Sequence, residues 1–243
     1  MIPASAALFA AMEATWPAAQ TQRCGPWLLR EGKGGGQRVS AASLCAEPAE
    51  GDLTGPSLAE VEAAMGRMGE PPLFLIRSGD RAADRALAER GYRIHDPVLI
   101  YGTPVRRLAV PAPKASQTIE LWPPLEIVRE IWAAGGIGPA RLAVMDRAKG
   151  PKTALLGRAG HRAAGVGFVA VHGSIAVLHA LEVRPSLRRQ GTAATILRRA
   201  AIWAAAAGAD WLCLGVTEAN QPARHLYASL GMEIVEQYHY RQK

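Results

Sequence analysis

The sequence predicts an α+β fold (a three-layer α/β arrangement) in which helices flank a mixed, mostly antiparallel sheet, built as two tandem copies of one unit. Three β-rich runs joined by short turns, at residues 153–157, 163–172 and 174–183, indicate successive antiparallel strands. The last run is followed by a short glycine-containing loop and by a helix-forming stretch at 194–207. The order helix, strand, short helix, strand also occurs twice, which predicts the two copies.

The first half of the chain contains the first of these copies. The spacing of apolar residues, with glycine and proline between the runs, predicts helices at 5–14, 58–68 and 82–90, strands at 27–30, 38–44, 73–76 and 92–101, a turn at 32–36 and a loop at 48–56. A shift of 140 residues places Gly91 on Gly231 and Ile94 on Ile234. The first copy is predicted to be degenerate because it has no loop comparable to residues 188–193. An unrelated α/β domain is the alternative.

The domain boundaries follow from a proline-rich stretch. Residues 104–117 contain three prolines and few apolar side chains, which is typical of a linker. We therefore expect a degenerate N-terminal domain at 1–103, a linker at 104–117 and a second domain at 118–243. The second domain begins with predicted helices at 125–134 and 140–147, ahead of the three strands.

The composition indicates a globular protein. Hydrophobic residues make up 49% of the chain and charged residues 20%, and no apolar run reaches the length of a bilayer. The first residues show no basic segment of a signal peptide. The cysteines Cys24, Cys45 and Cys213 are scattered without metal-ligand spacing. We expect a reduced, cytoplasmic protein that binds neither membranes nor metals; a homodimer is left open.

The net charge of +7 lies in the second part of the chain. Residues 1–110 contain 12 basic and 12 acidic residues, so the excess of Lys and Arg falls within 111–243. A basic protein can bind nucleic acid, but the basic residues form no stripe with aromatic ones. A cosubstrate that carries phosphates explains the asymmetry at least as well, and we expect no nucleic-acid partner.

A phosphate-binding loop is predicted between the third strand and the following helix. Residues 183–193 read VRPSLRRQGTA and place Arg188 and Arg189 ahead of Gly191. Unpaired N–H groups at a helix start and the positive end of the helix dipole attract anions, and a glycine lets the backbone approach them. The spacing Arg188-x-x-Gly191-x-Ala193 resembles the acyl-CoA loop of the GCN5-related N-acetyltransferases (GNAT). A basic strand-to-helix turn without a ligand is the alternative.

A second motif lies further along the chain. Asn220, Ala223, Tyr227 and Gly231 match the pattern Asn-x-x-Ala-x-x-x-Tyr-x-x-x-Gly of the same family. Asparagine is a good N-cap, so a helix is predicted to begin at Asn220, with Tyr227 two turns later on the same face. Its phenol can then point back toward the preceding strand, predicted at 211–215. An N-cap with a buried aromatic side chain is the alternative.

The resemblance, which covers residues 118–243, implies how acetyl-CoA is bound. In the family the strand before the loop separates from the next strand, and its free backbone groups bind the pantetheine; here these groups belong to Leu181 and Val183. The phosphates are implied to contact the loop residues Arg188, Arg189, Gln190, Gly191, Thr192 and Ala193. Asn220 would hydrogen-bond the pantetheine arm, and Tyr227 would protonate the departing thiolate.

The base that takes the proton of the amine is predicted at His179. Residues 178–183 resemble the corresponding strand of arylalkylamine N-acetyltransferases, in which a histidine at this position belongs to a proton relay. Alternation along a strand would place His179, Leu181 and Val183 on one face, and an imidazole with a pKa near 6.5 suits this role. A polar residue that merely lines the cleft is the alternative. The catalytic glutamate of histone-type members would fall on Val177, so that mechanism is not expected.

The resemblance therefore implies an acetyl-CoA-dependent N-acetyltransferase whose acceptor is a primary amine of a small molecule or amino acid. No cysteine lies in the motifs to form an acyl-enzyme, so direct attack in a ternary complex is expected. The alternatives are an inactive CoA-binding sensor or regulatory module, a protein N-acetyltransferase, and an acyltransferase with a longer acyl or an aminoacyl donor.

Overall fold

The computed structural model describes residues 2–45 and 56–243, so the loop predicted at 48–56 lies almost entirely outside the described residues. The strands are β1 (Gln20–Cys24), β2 (Trp27–Glu31), β3 (Ala42–Leu44), β4 (Leu73–Arg77), β5 (Arg93–Pro104), β6 (Thr118–Leu121), β7 (Lys152–Ala159), β8 (Arg162–His172), β9 (Ile175–Val183), β10 (Trp211–Thr217) and β11 (Glu233–Gln242). The helices are α1 (Ser5–Thr15), α2 (Gln37–Ser40), α3 (Pro56–Arg67), α4 (Arg81–Glu89), α5 (Val105–Leu108), α6 (Glu126–Ala134), α7 (Pro139–Arg147), α8 (Thr192–Ala206) and α9 (Gln221–Ser229).

The described strands form one sheet in the order β1-β2-β3-β4-β11-β5-β10-β9-β8-β7-β6. Neighbours are antiparallel except for β3 with β4 and β9 with β10, which are parallel. Alternate residues of β8 show that both faces are covered. Phe168 packs in the same cluster as Trp132 of α6, whereas Val169 packs in the cluster of Ile196 of α8. The predicted mixed, mostly antiparallel sheet flanked by helices is confirmed.

The two halves of the chain exchange their last strands. Strand β5 from the first half lies between β10 and β11 of the second, and β11 lies between β4 and β5 of the first. In the central order β4-β11-β5-β10, strands β4 and β5 of the first half correspond to β10 and β11 of the second half. Each half contributes one outer and one inner strand, as expected for a repeated unit. The domain division at 1–103, 104–117 and 118–243 stays a proposal, and the shared strands join both sides of it in one sheet.

The predicted linker packs against the second half. Residues 104–117 contain helix α5, whose Val105 and Leu108 are buried in the hydrophobic cluster beneath α8. The backbone N–H of Val105 also donates to the carbonyl of Asp210, at 2.9 Å. This part of the segment is therefore a structural connection with fixed contacts rather than a free tether.

Three local predictions were wrong or incomplete. The strand predicted at 38–44 begins as the short helix α2, because Gly36 with a φ of 103° turns the chain before Gln37. Strands β1 and β6 were not predicted, since β1 is exposed along most of its length and β6 lies at the outer edge of the sheet. The other predicted helices and strands are present, with ends displaced by a few residues. Within the described ranges, no helix is long and apolar enough to cross a membrane.

Candidate active site

A cleft opens where the parallel strands β9 and β10 separate. Their pairing extends from Ile175–Trp211 to Val177–Cys213 and then stops. Beyond this point β9 stays with β8 through Val183, whereas β10 stays with β5 through Thr217. The separation expected from the family resemblance is thus present, and the backbone around Leu181 and Val183 is not paired with β10.

A bulge in β9 changes which side chains face the cleft. Ala180 has a φ of 50°, and the pairing of β9 with β8 shifts at this residue. The indole N–H of Trp132 donates to the Ala180 carbonyl at 2.8 Å and holds the bulge in place. As a result His179 packs on one face of the sheet and Leu181 on the other. The prediction that His179 and Leu181 share a face was wrong, because the extra residue interrupts the alternation.

The first of two cavities in the cleft has a volume of about 710 Å³ and lies between β9, the loop after it, and α9. Most of the residues predicted to bind acetyl-CoA line it: Leu181, Val183, Arg188, Arg189, Gly191, Thr192, Ala193 and Asn220. Gln190 of the same loop is exposed and lies outside the lining. The family pattern thus brings together residues from two motifs around one cavity.

The loop directs the start of α8 into this cavity. Gly191 has a φ of 80°, a left-handed conformation that favours glycine, and it is the N-cap of α8. A Cβ atom at Gly191 would have no heavy atom within 4 Å, so backbone conformation rather than crowding accounts for the glycine. The first backbone N–H groups of a helix have no partner within the helix. Together with the helix dipole, the N–H groups of Thr192 and Ala193 are suited to bind an anion.

The two loop arginines differ in their contacts. The Nη2 atom of Arg188 lies 3.3 Å from a carboxylate oxygen of Glu182, and its Nε donates to the Val183 carbonyl at 3.2 Å. Within the described ranges, Arg189 has no ion pair or hydrogen bond to its side chain, and it too lines the cavity. Arg188 therefore braces the loop, and Arg189 is the loop cation whose charge is available to an anionic ligand.

Asn220 and Tyr227 lie at the inner end of this cavity. The side chain of Asn220 caps α9, because its Oδ1 accepts a hydrogen bond from the N–H of Ala223 at 3.2 Å. Its amide NH₂ group is left for a ligand. Tyr227 is buried and packs against Tyr101 with the ring centres 5.5 Å apart. No group in the described ranges hydrogen-bonds to the Tyr227 hydroxyl, and Tyr227 is among the residues that line the cavity.

Burial raises the pKa of Tyr227 to about 12, with a smaller contribution from the neighbouring Tyr101. The phenol is therefore protonated at neutral pH. In this state it can donate a hydrogen bond or a proton, but it cannot act as a base. The role that the family resemblance implies requires a protonated phenol, and that role stays a prediction.

A second cavity of about 390 Å³ meets the first at Leu181, Asn220 and Tyr227. It is built by both halves of the chain. The first half supplies Trp16, Gly35, Gly36, Gln37, Arg38 and Val98, and the second supplies Ile137, Arg141, His179, Gly215, Tyr238 and Tyr240 among others. Because Leu181, Asn220 and Tyr227 line both cavities, a group bound in one cavity lies next to a group bound in the other.

His179 lies in the wall of the second cavity with both ring nitrogens engaged. Its Nδ1 is 3.0 Å from Nη2 of Arg38, which can only donate, so Nδ1 accepts and the proton is on Nε2. Nε2 lies 2.9 Å from the hydroxyl oxygen of Thr15, which itself donates to the Ala11 carbonyl. Burial, and secondarily the charge of Arg38, hold the pKa of His179 well below its usual value.

Several residues of this cavity were not predicted from the sequence. Trp16 and Arg38 are far from the motifs in the chain and belong to the half that lacks a CoA loop. The one local signal was the glycine run at 32–36, which indicated a turn but no ligand.

As for metals, no cluster of three or more His, Cys, Asp or Glu side chains suited to an ion occurs among the described residues.

Comparison with known proteins points to the same family as the two sequence motifs. Residues 122–232 match the model of the Acetyltransferase (GNAT) family. A protein of Bacillus subtilis (strain 168) named as an uncharacterized N-acetyltransferase, YobR, is 26% identical over 238 residues, which is 95% of either chain.

Two solved structures share the fold. A GCN5-related N-acetyltransferase from Kribbella flavida superposes with a TM-score of 0.72 at 17% identity, over 99% of this chain and 96% of that one. A tandem GNAT protein from the clavulanic acid biosynthesis pathway superposes with a TM-score of 0.58 at 16% identity, over 83% of this chain and 74% of that one.

The divided sheet, the glycine loop and the family match define an acetyltransferase. Residues 122–232 form a domain of the GNAT superfamily.

Proposed function

We propose that the protein transfers an acetyl group from acetyl-CoA to a primary amine of a small molecule or amino acid, by direct attack in a ternary complex. The observation that carries this proposal is that two cavities meet at shared lining residues, among them Tyr227. One cavity carries the phosphate loop, and the other is separated from that loop by the Leu181–Tyr227 junction.

The first cavity suits acetyl-CoA. The N–H groups at the start of α8 and the side chain of Arg189 would hold the pyrophosphate. The free NH₂ of Asn220 and the unpaired backbone of β9 would bind the pantetheine arm. A backbone N–H of the separated part of β9 would also polarise the thioester carbonyl, a contact of the oxyanion-hole kind worth about 2–4 kcal/mol.

The reaction needs little from the protein besides position and a proton donor. The amine nitrogen bonds to the thioester carbon, the C–S bond breaks, and its electron pair goes to sulfur. The Tyr227 hydroxyl donates toward the departing sulfur, and the nitrogen loses one proton. The products are an N-acetyl amide and the free thiol, so atoms and charge balance.

The surroundings of His179 do not favour its predicted role as the base. Its Nδ1 lone pair is already used to accept from Arg38, and its pKa is depressed. No Asp or Glu lies among the described residues that line the second cavity. We therefore propose that the acceptor reacts as its free amine and releases its proton to solvent, and that His179 has the positioning role argued in the next subsection.

The dimensions of the second cavity favour a small acceptor over a protein. Its volume is about 390 Å³, and Trp16, Gly36 and Arg38 from the first half form one of its walls. Pockets for small molecules have volumes of about 300–1,000 Å³, and this cavity lies within that range. An inactive CoA-binding module, the other alternative, gives no reason for an unpaired phenol between the two cavities.

Thermal melting tests the donor, and thiol release tests the reaction. Acetyl-CoA or CoA at about 100 times Kd should add about 2.7 kcal/mol of stability, a rise in Tm of roughly 5–10 °C, whereas ATP should give no comparable rise. Amine-dependent release of free thiol from acetyl-CoA would then show turnover. A shift without turnover on any amine would favour the binding module, and the absence of any shift would remove acetyl-CoA from the proposal.

A further inference from the structure

A cationic side chain from the first half of the chain lies in the wall of the second cavity. Arg38 follows the turn at Gly36, and its Nη2 donates to Nδ1 of His179 at 3.0 Å. Its guanidinium carbon is 5.9 Å from the centre of the Trp16 ring. A Cβ atom placed on Gly215 would lie 3.9 Å from its Nη1, so the guanidinium also faces β10. The side chain is half-buried and held from three directions.

The charge of Arg38 has no counter-ion within the described ranges. Its Nε atom is buried and has no hydrogen-bond partner there. Glu13 borders two neighbouring cavities together with Arg38, but its carboxylate pairs with Arg30. A half-buried guanidinium without a carboxylate is costly unless a ligand supplies one.

A second guanidinium stands on the other side of the glycine turn. Nε and Nη2 of Arg141 lie 3.6 Å from the position of a Cβ atom on Gly36, so the side chain packs against that glycine. Arg141 is exposed, and among the described residues it too has no carboxylate partner. The cavity thus has two cations and no acidic side chain in its described lining, and its histidine is neutral.

We propose that the acceptor amine also carries an oxyanion, a carboxylate or a phosphate, which Arg38 binds in the second cavity with Arg141 as the outer cation. The inference rests on the proposed function and narrows its substrate class. A planar guanidinium forms two parallel hydrogen bonds with such a group, which fixes the far end of the acceptor. An amine without an oxyanion would enter a positively charged cavity with nothing to offset the charge.

In this arrangement His179 is a positioning residue. Its neutral ring accepts from Arg38 at Nδ1 and donates from Nε2 to Thr15, whose hydroxyl donates to the carbonyl of Ala11. The chain of hydrogen bonds connects helix α1 of the first half to strand β9 of the second. It holds the guanidinium in one orientation at the seam between the halves.

Matched pairs of amines test the subsite. One pair is an amino acid and its carboxamide, and the other is phosphoethanolamine and ethanolamine. The acid of at least one pair should be acetylated with the higher kcat/KM, and the better pair identifies the oxyanion. Arg38→Ala should lower kcat/KM for the acid by about 10- to 100-fold, mainly through KM, and should not lower it for the neutral partner, so that the preference for the acid is lost. Arg141→Ala should have a smaller effect, because Arg141 is exposed.

Two variants of His179 separate positioning from base catalysis. Asparagine can accept from Arg38 through its carbonyl, so His179→Asn should retain most of kcat, whereas His179→Ala should raise KM for the acid in the manner of Arg38→Ala. Loss of kcat in both variants on both members of a pair, with acetyl-CoA binding unchanged, would identify His179 as the base and overturn its positioning role.

A binding measurement keeps this inference separate from the proposed function. The Tm of the protein with CoA is recorded with each amine added, for wild type and Arg38→Ala. A rise with the acids that requires Arg38 supports the oxyanion subsite even if no amine is acetylated, in which case the proposed function fails alone. Equal kcat/KM and equal Tm for acids and neutral partners, unaffected by Arg38→Ala, would overturn the inference and leave the proposed function standing.

Discussion

Replacement of Tyr227 by Phe removes one hydroxyl and leaves the ring. The ring is buried against Tyr101, and no hydrogen bond to the hydroxyl exists among the described residues. The free energy of unfolding should therefore change by less than about 1 kcal/mol, because no internal hydrogen bond is lost. Acetyl-CoA affinity should also change little, since the loop and Asn220 are untouched. The effect is expected in kcat.

The pKa of Tyr227 sets the size of that effect. A pKa of about 12 makes the phenol weaker as an acid than a free thiol of pKa about 8.5. Complete transfer of its proton to the thiolate would therefore cost about 5 kcal/mol. Under the proposed mechanism we therefore expect the hydroxyl to stabilise the sulfur by a hydrogen bond while negative charge develops there, and we expect solvent to complete the protonation. A hydrogen bond to a charged group is worth about 1.5–3 kcal/mol, which corresponds to a loss of roughly 10- to 150-fold in kcat.

The assay is steady-state release of free thiol at saturating acetyl-CoA and acceptor, with calorimetry for acetyl-CoA binding. Tyr101→Phe is the matched control, because Tyr101 packs against Tyr227 but lines neither cavity. Its kcat should stay within about twofold of wild type. An unchanged kcat in Tyr227→Phe, or an equal loss in both variants, would refute the role assigned to the hydroxyl.

Three other predictions concern the two cavities and the buried histidine. Gly191→Ala imposes a left-handed conformation on a side-chain residue, so it should cost about 1–2 kcal/mol and weaken acetyl-CoA binding by calorimetry, with Gly191→Trp abolishing it; unchanged affinity in both would remove the loop from the site. Gly215→Val adds methyl groups to the second cavity, next to Arg38 and Val98, and should raise KM for the acceptor at least tenfold while the Tm rise with acetyl-CoA persists; a normal acceptor KM would place the acceptor elsewhere. The pKa of His179 is depressed in the folded state, so below about pH 6.5 the unfolded chain binds one proton more than the folded chain. The free energy of unfolding should therefore decrease as the pH is lowered below this value, by up to about 1.4 kcal/mol per pH unit. Urea unfolding at several pH values should show a smaller slope in His179→Asn, and an unchanged slope would contradict the prediction.

Features that depend on neighbours in the sequence could be predicted. The N-cap at Asn220 and the glycine at Gly191 depend only on nearby residues. Asn220 hydrogen-bonds to the first turn of its own helix, and Gly191 adopts the backbone conformation that its own turn requires. Tyr227 was indicated by the family motif, and helical periodicity places it on the same face as Asn220. The cavity for the donor is built almost wholly from such local segments, which is why most of its predicted residues line it.

Features set by tertiary packing could not be predicted. The bulge at Ala180 breaks the alternation of β9, and it is held by the indole of Trp132 from a helix 48 residues earlier. No pattern within residues 178–183 indicates that contact. The hydrogen bond between Arg38 and His179 spans 141 residues of chain, and the arginine comes from a segment whose own pattern favoured a strand.

The exchange of strands explains why a half without a CoA loop belongs to this active site. Strand β5 pairs with β10, so Val98 lies opposite Thr217, and both residues line the second cavity. The same half supplies Arg38, whose orientation depends on β9 of the other half. The degenerate copy therefore holds one wall of the cavity and, under the oxyanion proposal, selects the acceptor. Under the proposed function the second half binds the donor, so a change of acceptor specificity would require substitutions in the half that lacks the motif.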